Sequence, residues 1–84
     1  MNKKAEKGLL KSLPKHRVQL LDLIFTLKSE PIPYRKYDVS KLLGREDSYR
    51  VRIGDIRLVY HVDWVYNMVD IEYIGSRGKA YKGL

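Results

Sequence analysis

Hydrophobic and polar positions alternate with helical spacing at the start of the chain. This pattern predicts a short first helix from Lys3 to Leu13, with lysine and glutamate on its solvent side. Its apolar positions are Ala5, Leu9, Leu10 and Leu13.

A second helix is predicted to begin at Pro14 and to run to about Lys28. Proline suits the first turn of a helix because its missing N–H would have no partner there. Pro31 and Pro33 should then end the helical region, since each removes a donor and pushes the preceding residue toward extended geometry. The apolar stripe predicted for this helix is Val18, Leu21, Ile24, Phe25 and Leu27.

Beyond the prolines the apolar spacing changes to every second residue, which indicates β-strands. The clearest pair is 49–53 and 56–62, in which apolar residues alternate with arginine or histidine. Gly54-Asp55 lies between them, and glycine readily adopts the positive φ that a two-residue hairpin needs, so the two strands should be antiparallel.

Two further strands are indicated on either side of this hairpin. Tyr37 and Val39 predict a short strand before it, and a clear strand comes after it in which Val69, Ile71 and Tyr73 should share one face. Residues 75–84 hold three glycines and no apolar face, so they are predicted to form a basic tail. Helices followed by an antiparallel meander define an α+β fold of three to four strands, over one domain covering 1–84.

Length and composition limit the possible classes of protein. The 84 residues, 44% of them hydrophobic, suit one core, and the absence of cysteine leaves neither a disulfide nor a thiolate metal site. We find no apolar run long enough for a signal peptide or a membrane span, so a cytoplasmic protein without membrane contact is expected.

Charge favours a polyanionic partner. Seventeen lysines and arginines against ten acids give a formal net charge of +7, with the excess concentrated at both ends of the chain. Such a bias attracts nucleic acid and accelerates its association. The alternative is that the basic termini only keep a small domain soluble.

The predicted hairpin would gather arginines on one face. With a two-residue loop, Arg52 lies opposite Arg57 and Arg50 lies opposite Val59. Like charges placed opposite each other are unfavourable unless an anion occupies the face, and the planar guanidinium binds phosphate in bidentate fashion. The alternative is a solvated face whose arginines are neutralised by nearby acids, namely Asp55, Asp63, Asp70 or Glu72.

Two segments carry a resemblance to a known family: KLLGREDSYRVRIGDIRLVYHVDW and, after it, IEYIGSRGKAY. Together they resemble the core of the RelE/ParE toxin superfamily, particularly its small archaeal RelE-like members, and the similarity extends over roughly residues 5–82. The resemblance implies two helices on a curved antiparallel sheet. It also implies a ribosome-dependent endonuclease that cleaves mRNA in the decoding site, without metal or cofactor, through attack of a 2′-hydroxyl on the adjacent phosphate.

The resemblance also implies a set of site residues. The positions expected to act on the phosphate and in proton transfer are Arg50, Arg52, Arg57, Arg77 and Tyr81. Tyr81 could alternatively stack on a base. RNA contacts are further expected from Lys79, Lys82 and His61, of which His61 should share the face of Arg57.

Partners are implied by the same resemblance. A RelB-like antitoxin, the ribosome and mRNA are expected, and a toxin–antitoxin heterotetramer is one assembly that this allows. Two alternatives stay open, which are gyrase inhibition of the ParE type and a catalytically inactive RNA-binding relative. Family members usually begin with a strand before the first helix. This sequence begins almost at the helix, so the strand is expected to be missing here.

Overall fold

Two helices precede four antiparallel strands along the chain. The structure is a computed structural model that describes residues 1–76, and its elements are α1 (Lys3–Lys11), α2 (Pro14–Leu27), β1 (Asp38–Lys41), β2 (Ser48–Ile53), β3 (Ile56–Asp63) and β4 (Met68–Ser76). The strands form one sheet in the order β1-β2-β3-β4, each antiparallel to its neighbour. This confirms the predicted α+β fold and shows that the short strand predicted before the hairpin exists.

The boundary between the helices differs slightly from the prediction. Helix α1 ends at Lys11 rather than Leu13, because the chain turns at Ser12 and α2 begins at Pro14. Arg17 fixes this turn by donating hydrogen bonds of 2.9 Å to the carbonyl oxygens of Leu10 and Ser12. A cation at these carbonyls also stabilises the negative end of the helix dipole. One basic residue of the N-terminal cluster therefore has a structural role.

Both helices bury their apolar side chains against the same face of the sheet. Fully burying a leucine or valine side chain contributes about 1.5–3 kcal/mol, so this layer provides most of the stabilisation. The buried cluster consists of Ala5, Leu20, Leu23, Leu27, Val51, Ile53, Ile56, Leu58, Tyr60, Val62, Ile71 and Ile74. Neither helix in the described part of the chain has the length and apolar character needed to cross a membrane.

The buried side of α2 is only partly the one predicted. Leu27 is buried and Ile24 packs against the core, as predicted. Leu20 and Leu23 also face the sheet, whereas Val18, Leu21 and Phe25 are 70%, 51% and 72% exposed. Helix α2 is apolar on both sides, so spacing alone could not select the face that the sheet covers. In α1 the predicted stripe is also partly wrong, because Leu10 and Leu13 are exposed. The outer side of α2 therefore presents three apolar side chains at helical spacing, here called the α2 strip (Val18, Leu21 and Phe25).

Strand β4 contains a bulge, which makes the prediction that Tyr73 shares a face with Ile71 wrong. Val59 pairs with Tyr73 and Tyr60 pairs with Ile71, so Glu72 is an extra residue on the β4 side. An inserted residue reverses the alternation of a strand. Ile71 consequently packs in the core, while Tyr73 lies on the opposite face of the sheet, not beside Ile71 as the alternating pattern predicted.

β4 also extends to Ser76, so Gly75 and Ser76 belong to the sheet and not to the predicted tail. Helix α1 lies so close to this strand that a β-carbon added at Gly8 would fall 1.6 Å from the Ile74 carbonyl oxygen. At the N-terminal end of α1, Asn2 N–H donates to the Ile71 carbonyl oxygen at 3.2 Å. The first residues of the chain thus contact β4.

Tyr60 and Tyr49 confirm the prediction that they face the core. Their rings stack with centroids 5.6 Å apart, and the Tyr60 hydroxyl donates to the Pro31 carbonyl oxygen at 2.5 Å. Burial raises the pKa of the Tyr60 hydroxyl, which keeps it protonated as a donor. This bond holds the proline segment against the sheet.

Candidate nucleic-acid interface

The side of the sheet opposite the helices carries the predicted arginines. Arg52 pairs with Arg57 and Arg50 pairs with Val59, which confirms the predicted register. Side chains alternate along β2 and β3, so the residues between the buried core positions point away from the helices. We call this surface the arginine face. It consists of Arg50, Arg52, Arg57, Val59 and His61, with the residues beside them on β1 and β4.

Two of these arginines have partners on β1. The Arg52 Nε atom lies 3.3 Å from Asp38 Oδ2, and both side chains are about half exposed. Such a pair contributes little to stability because solvent screens it. Arg50 Nη2 donates to Ser40 Oγ at 3.1 Å. Within residues 1–76, none of the four acids that the alternative interpretation proposed as partners forms an ion pair with Arg50, Arg52 or Arg57.

Two guanidinium N–H groups on this face, and one beside it, are buried without a hydrogen-bond acceptor. Among the described residues, these are Arg50 Nε and Arg57 Nη1 on the face and Arg45 Nη1 in the segment before β2. A buried polar group left unpaired costs about 1–3 kcal/mol, and more when it is charged. These side chains would gain charge-assisted hydrogen bonds by turning toward an anion, as arginines do with phosphate. The face is therefore arranged to gain from binding one.

An apolar patch lies between the charges. Val59 is fully buried although it points away from the helices, and its neighbours in register on that face are Arg50 and Tyr73. The Tyr73 hydroxyl lies 2.2 Å from the place where a β-carbon of Gly75 would be. Glycine at position 75 thus allows the tyrosine ring to lie along the strand, beside the residue that pairs with Arg57. Strand alternation alone did not reveal Tyr73 on this face, because the bulge could not be predicted.

His61 lies on the arginine face, as predicted. Its Nδ1 atom is 3.3 Å from the Ser48 hydroxyl oxygen, and Ser48 is buried. His61 also pairs in register with Asp70 of β4. A hydroxyl at one ring nitrogen orients the imidazole and leaves the other nitrogen for a further partner.

Arg45 is a further residue near this face that the sequence did not indicate. It lies in the segment between β1 and β2, and its guanidinium reaches across the sheet to Glu72 at the bulge, with Nη2 to Oε1 and Oε2 distances of 2.9 and 3.1 Å. No sequence pattern predicts this contact, since it joins a turn residue to a residue whose face depends on the bulge.

The remaining predicted site residues are Arg77, Lys79, Tyr81 and Lys82, all of which lie outside the described residues. Their roles stay predictions. The last described residue, Ser76, pairs with Ile56 and comes directly after Gly75, which pairs with Arg57.

No family model matches this chain. The chain is 40% identical to the RelE1 protein of Methanocaldococcus jannaschii, named as a toxin, in an alignment that covers 96% of the chain and 94% of the relative.

Solved structures give a similar result. The chain is similar to RelE in the RelE–RelB complex of Pyrococcus horikoshii OT3, with a TM-score of 0.79 and 36% identity over 94% of this chain and 92% of that one. A RelB–RelE antitoxin–toxin complex from Methanococcus jannaschii gives a TM-score of 0.81 at 19% identity, covering 99% of this chain and 95% of that one. At that identity the second comparison supports the fold alone.

Proposed function

The chain belongs to the RelE family of toxins, and we propose that it is a ribosome-dependent, metal-independent endonuclease that cleaves mRNA in the decoding site and so stops translation. The observation that carries this proposal is the arginine face, where the paired Arg52 and Arg57 lie among guanidinium N–H groups that have no acceptor within residues 1–76. This arrangement suits a phosphodiester, whose oxygens accept from several guanidinium groups at once.

The proposed reaction is an in-line displacement at phosphorus. The 2′-oxygen of one nucleotide loses its proton and bonds to the adjacent phosphorus, and the bond from phosphorus to the 5′-oxygen of the next nucleotide breaks. The leaving oxygen takes a proton, so the products are a 2′,3′-cyclic phosphate and a 5′-hydroxyl end. Negative charge grows on the five-coordinate phosphorus, and fixed cations there stabilise the transition state.

The arginines of the hairpin would have different roles in this reaction because they lie at different positions on the face. Arg57 lies on a central strand between Arg52 and Gly75, and its Nη1, unpaired among the described residues, makes it the best placed to bind the charged oxygens. Arg52 is partly neutralised by Asp38, and Arg50 is held by Ser40, so these two would position the RNA backbone. Arg77 would supply a second cation that stabilises the transition state.

Proton transfer needs a different kind of side chain, because arginine is effectively never deprotonated. Imidazole can accept and donate a proton near neutral pH, and His61 lies on the arginine face with one ring nitrogen beside Ser48. Tyr81 is the second candidate. A sheet face contacts RNA from one side only, so the ribosome would have to align the 2′-oxygen with the phosphorus.

The test is to add the purified protein to programmed ribosomes and to map the mRNA ends. We expect a cut within the codon in the decoding site, with 5′-hydroxyl termini, and no cut in the same mRNA without ribosomes. Intact messages together with inhibition of gyrase supercoiling would instead support a ParE-like activity. Intact messages without gyrase inhibition would indicate an inactive relative.

We further propose that a RelB-like antitoxin covers this protein. The similar RelE of Pyrococcus horikoshii OT3 was solved in a complex with RelB. Here the α2 strip is exposed on the outside of the fold, and the i, i+3, i+7 spacing of Val18, Leu21 and Phe25 suits an apolar helix laid along it. The net charge of +7 favours additional acidic contacts.

Replacing Phe25 by glutamate should weaken antitoxin binding without changing mRNA cleavage. An aromatic anchor in an interface typically contributes about 2 kcal/mol or more, so we expect a loss of affinity of at least about 30-fold, measured by calorimetry. Tyr34→Glu is the matched control, because Tyr34 is similarly exposed at 68% but lies outside the strip. Equal affinities for the Phe25 variant and the wild type would show that the antitoxin binds elsewhere.

A further inference from the structure

We propose that Arg45 forms a second phosphate-binding position on the arginine face, and that Glu72 occupies this position until RNA displaces it. The proposal rests on the proposed function, since it takes the ligand to be RNA. It adds a backbone contact, at a nucleotide other than the cleaved one, that depends on the β4 bulge.

The geometry of the ion pair leaves part of the guanidinium unused. In the strongest arginine–carboxylate pairs, two nitrogens each donate to one oxygen. Here a single nitrogen, Arg45 Nη2, contacts both Glu72 oxygens, at 2.9 and 3.1 Å. The Nη1 atom of Arg45 is buried and has no hydrogen-bond partner among residues 1–76. A pair built only to join the β1–β2 segment to β4 would be expected to use the full fork.

The position of the pair separates it from the hairpin arginines. It joins the turn before β2 to the bulge of β4, where Glu72 lies beside the Val59–Tyr60 step of β3. Arg57 is two to three residues away along β3, which corresponds to about 7–10 Å. Arg45 reaches Glu72 from the end of the sheet where β2 begins, opposite the end that holds Arg57. A phosphate bound by Arg45 would therefore be a neighbour of the one bound by Arg57.

A phosphate could contact more of the Arg45 guanidinium than Glu72 does. The Arg45 and Glu72 side chains are 32% and 19% exposed, so the pair is only partly shielded from solvent. A phosphate can accept from two guanidinium nitrogens together, including Nη1, which the carboxylate does not contact. Glu72 meanwhile repels the RNA backbone wherever it is not displaced.

The test measures binding of a fluorescein-labelled single-stranded RNA whose 2′-oxygens are methylated, so that it cannot be cleaved. Affinity is measured over a series of salt concentrations for the wild type and for Arg45→Gln, Glu72→Gln and the double variant. Arg35→Gln is the matched control, because it removes the same charge from a side chain beside Tyr34, outside the sheet. Thermal unfolding confirms that each variant is folded.

We expect Arg45→Gln to weaken binding by about tenfold and to lower the slope of log affinity against log salt by about 0.7, the value for one lost contact to single-stranded nucleic acid. The double variant should lose as much, although its net charge equals that of the wild type. Glu72→Gln should bind RNA at least as tightly as the wild type. Arg35→Gln should change the affinity much less than Arg45→Gln.

The opposite pattern would overturn the proposal. If the ion pair only fastens the β1–β2 segment, Glu72→Gln should weaken binding as Arg45→Gln does. If Arg45 acted only through net charge, the double variant, whose charge is unchanged, should bind like the wild type. Failure of the wild type to cut mRNA on ribosomes would refute the proposed nuclease but would leave this RNA-binding comparison valid. If the wild type cleaves mRNA but Arg45→Gln binds RNA as tightly as the wild type, only the second phosphate position would be refuted.

Discussion

Replacing Arg57 by alanine should slow cleavage of ribosome-bound mRNA by at least about 10²-fold, the loss typical of removing one transition-state donor. The reason is the position of this side chain, on a central strand opposite Arg52 and with an Nη1 group that lacks an acceptor in the described part of the chain. The measurement is a single-turnover cleavage rate at saturating toxin, so that weaker ribosome binding does not contribute.

Arg57→Lys and Arg35→Ala complete this experiment. Lysine keeps the charge but not the planar fork, so it should restore part of the rate. Arg35 lies outside the sheet, before β1, so its replacement should leave the rate close to that of the wild type. A single-turnover rate for Arg57→Ala within a few-fold of the wild type would exclude Arg57 from the transition state.

Gly8→Ala should lower the free energy of unfolding by about 3 kcal/mol or more, as measured by urea denaturation. The added carbon would fall 1.6 Å from the Ile74 carbonyl oxygen, so α1 would have to move away from β4. The loss should exceed the gain of about 1 kcal/mol that alanine normally brings to a helix interior. Separation of α1 from the sheet would also expose the apolar contacts around Ala5.

Gly44→Ala provides the matched control for Gly8→Ala. A β-carbon at Gly44 would meet nothing within 4 Å, and the backbone there has a φ of +77°. Its cost should come only from the left-handed conformation, at about 1–2 kcal/mol. Similar losses for both variants would show that α1 accommodates the methyl group without leaving β4.

The sequence predicted the order of elements because strong local signals mark them. Pro14 starts α2, two further prolines end the helical region, and Gly54 sets the hairpin register through its positive φ. The side of α2 that is buried could not be predicted in this way. Helix α2 carries apolar residues on both sides, and only the position of the sheet decides that Leu20 is buried while Phe25 is exposed.

The candidate site was predictable only where it depends on regular alternation. The facing pair Arg52 and Arg57 is determined by a two-residue loop and strand geometry alone. Tyr73 and Arg45 could not be found, because each depends on the bulge at Glu72. A bulge inserts one residue without a distinctive residue type, so an alternating pattern that continues through it assigns the wrong face to every later residue of the strand.

The unpaired guanidinium groups link the stability of the fold to the occupancy of its surface. Arg50 and Arg57 each keep a buried N–H without an acceptor among residues 1–76, and a buried donor left unpaired costs stability. Any anion that binds these donors only in the folded state raises the melting temperature by mass action. Two ligands that need the same donors must also exclude each other, so occupancy by one protects the protein from unfolding while denying the surface to the other.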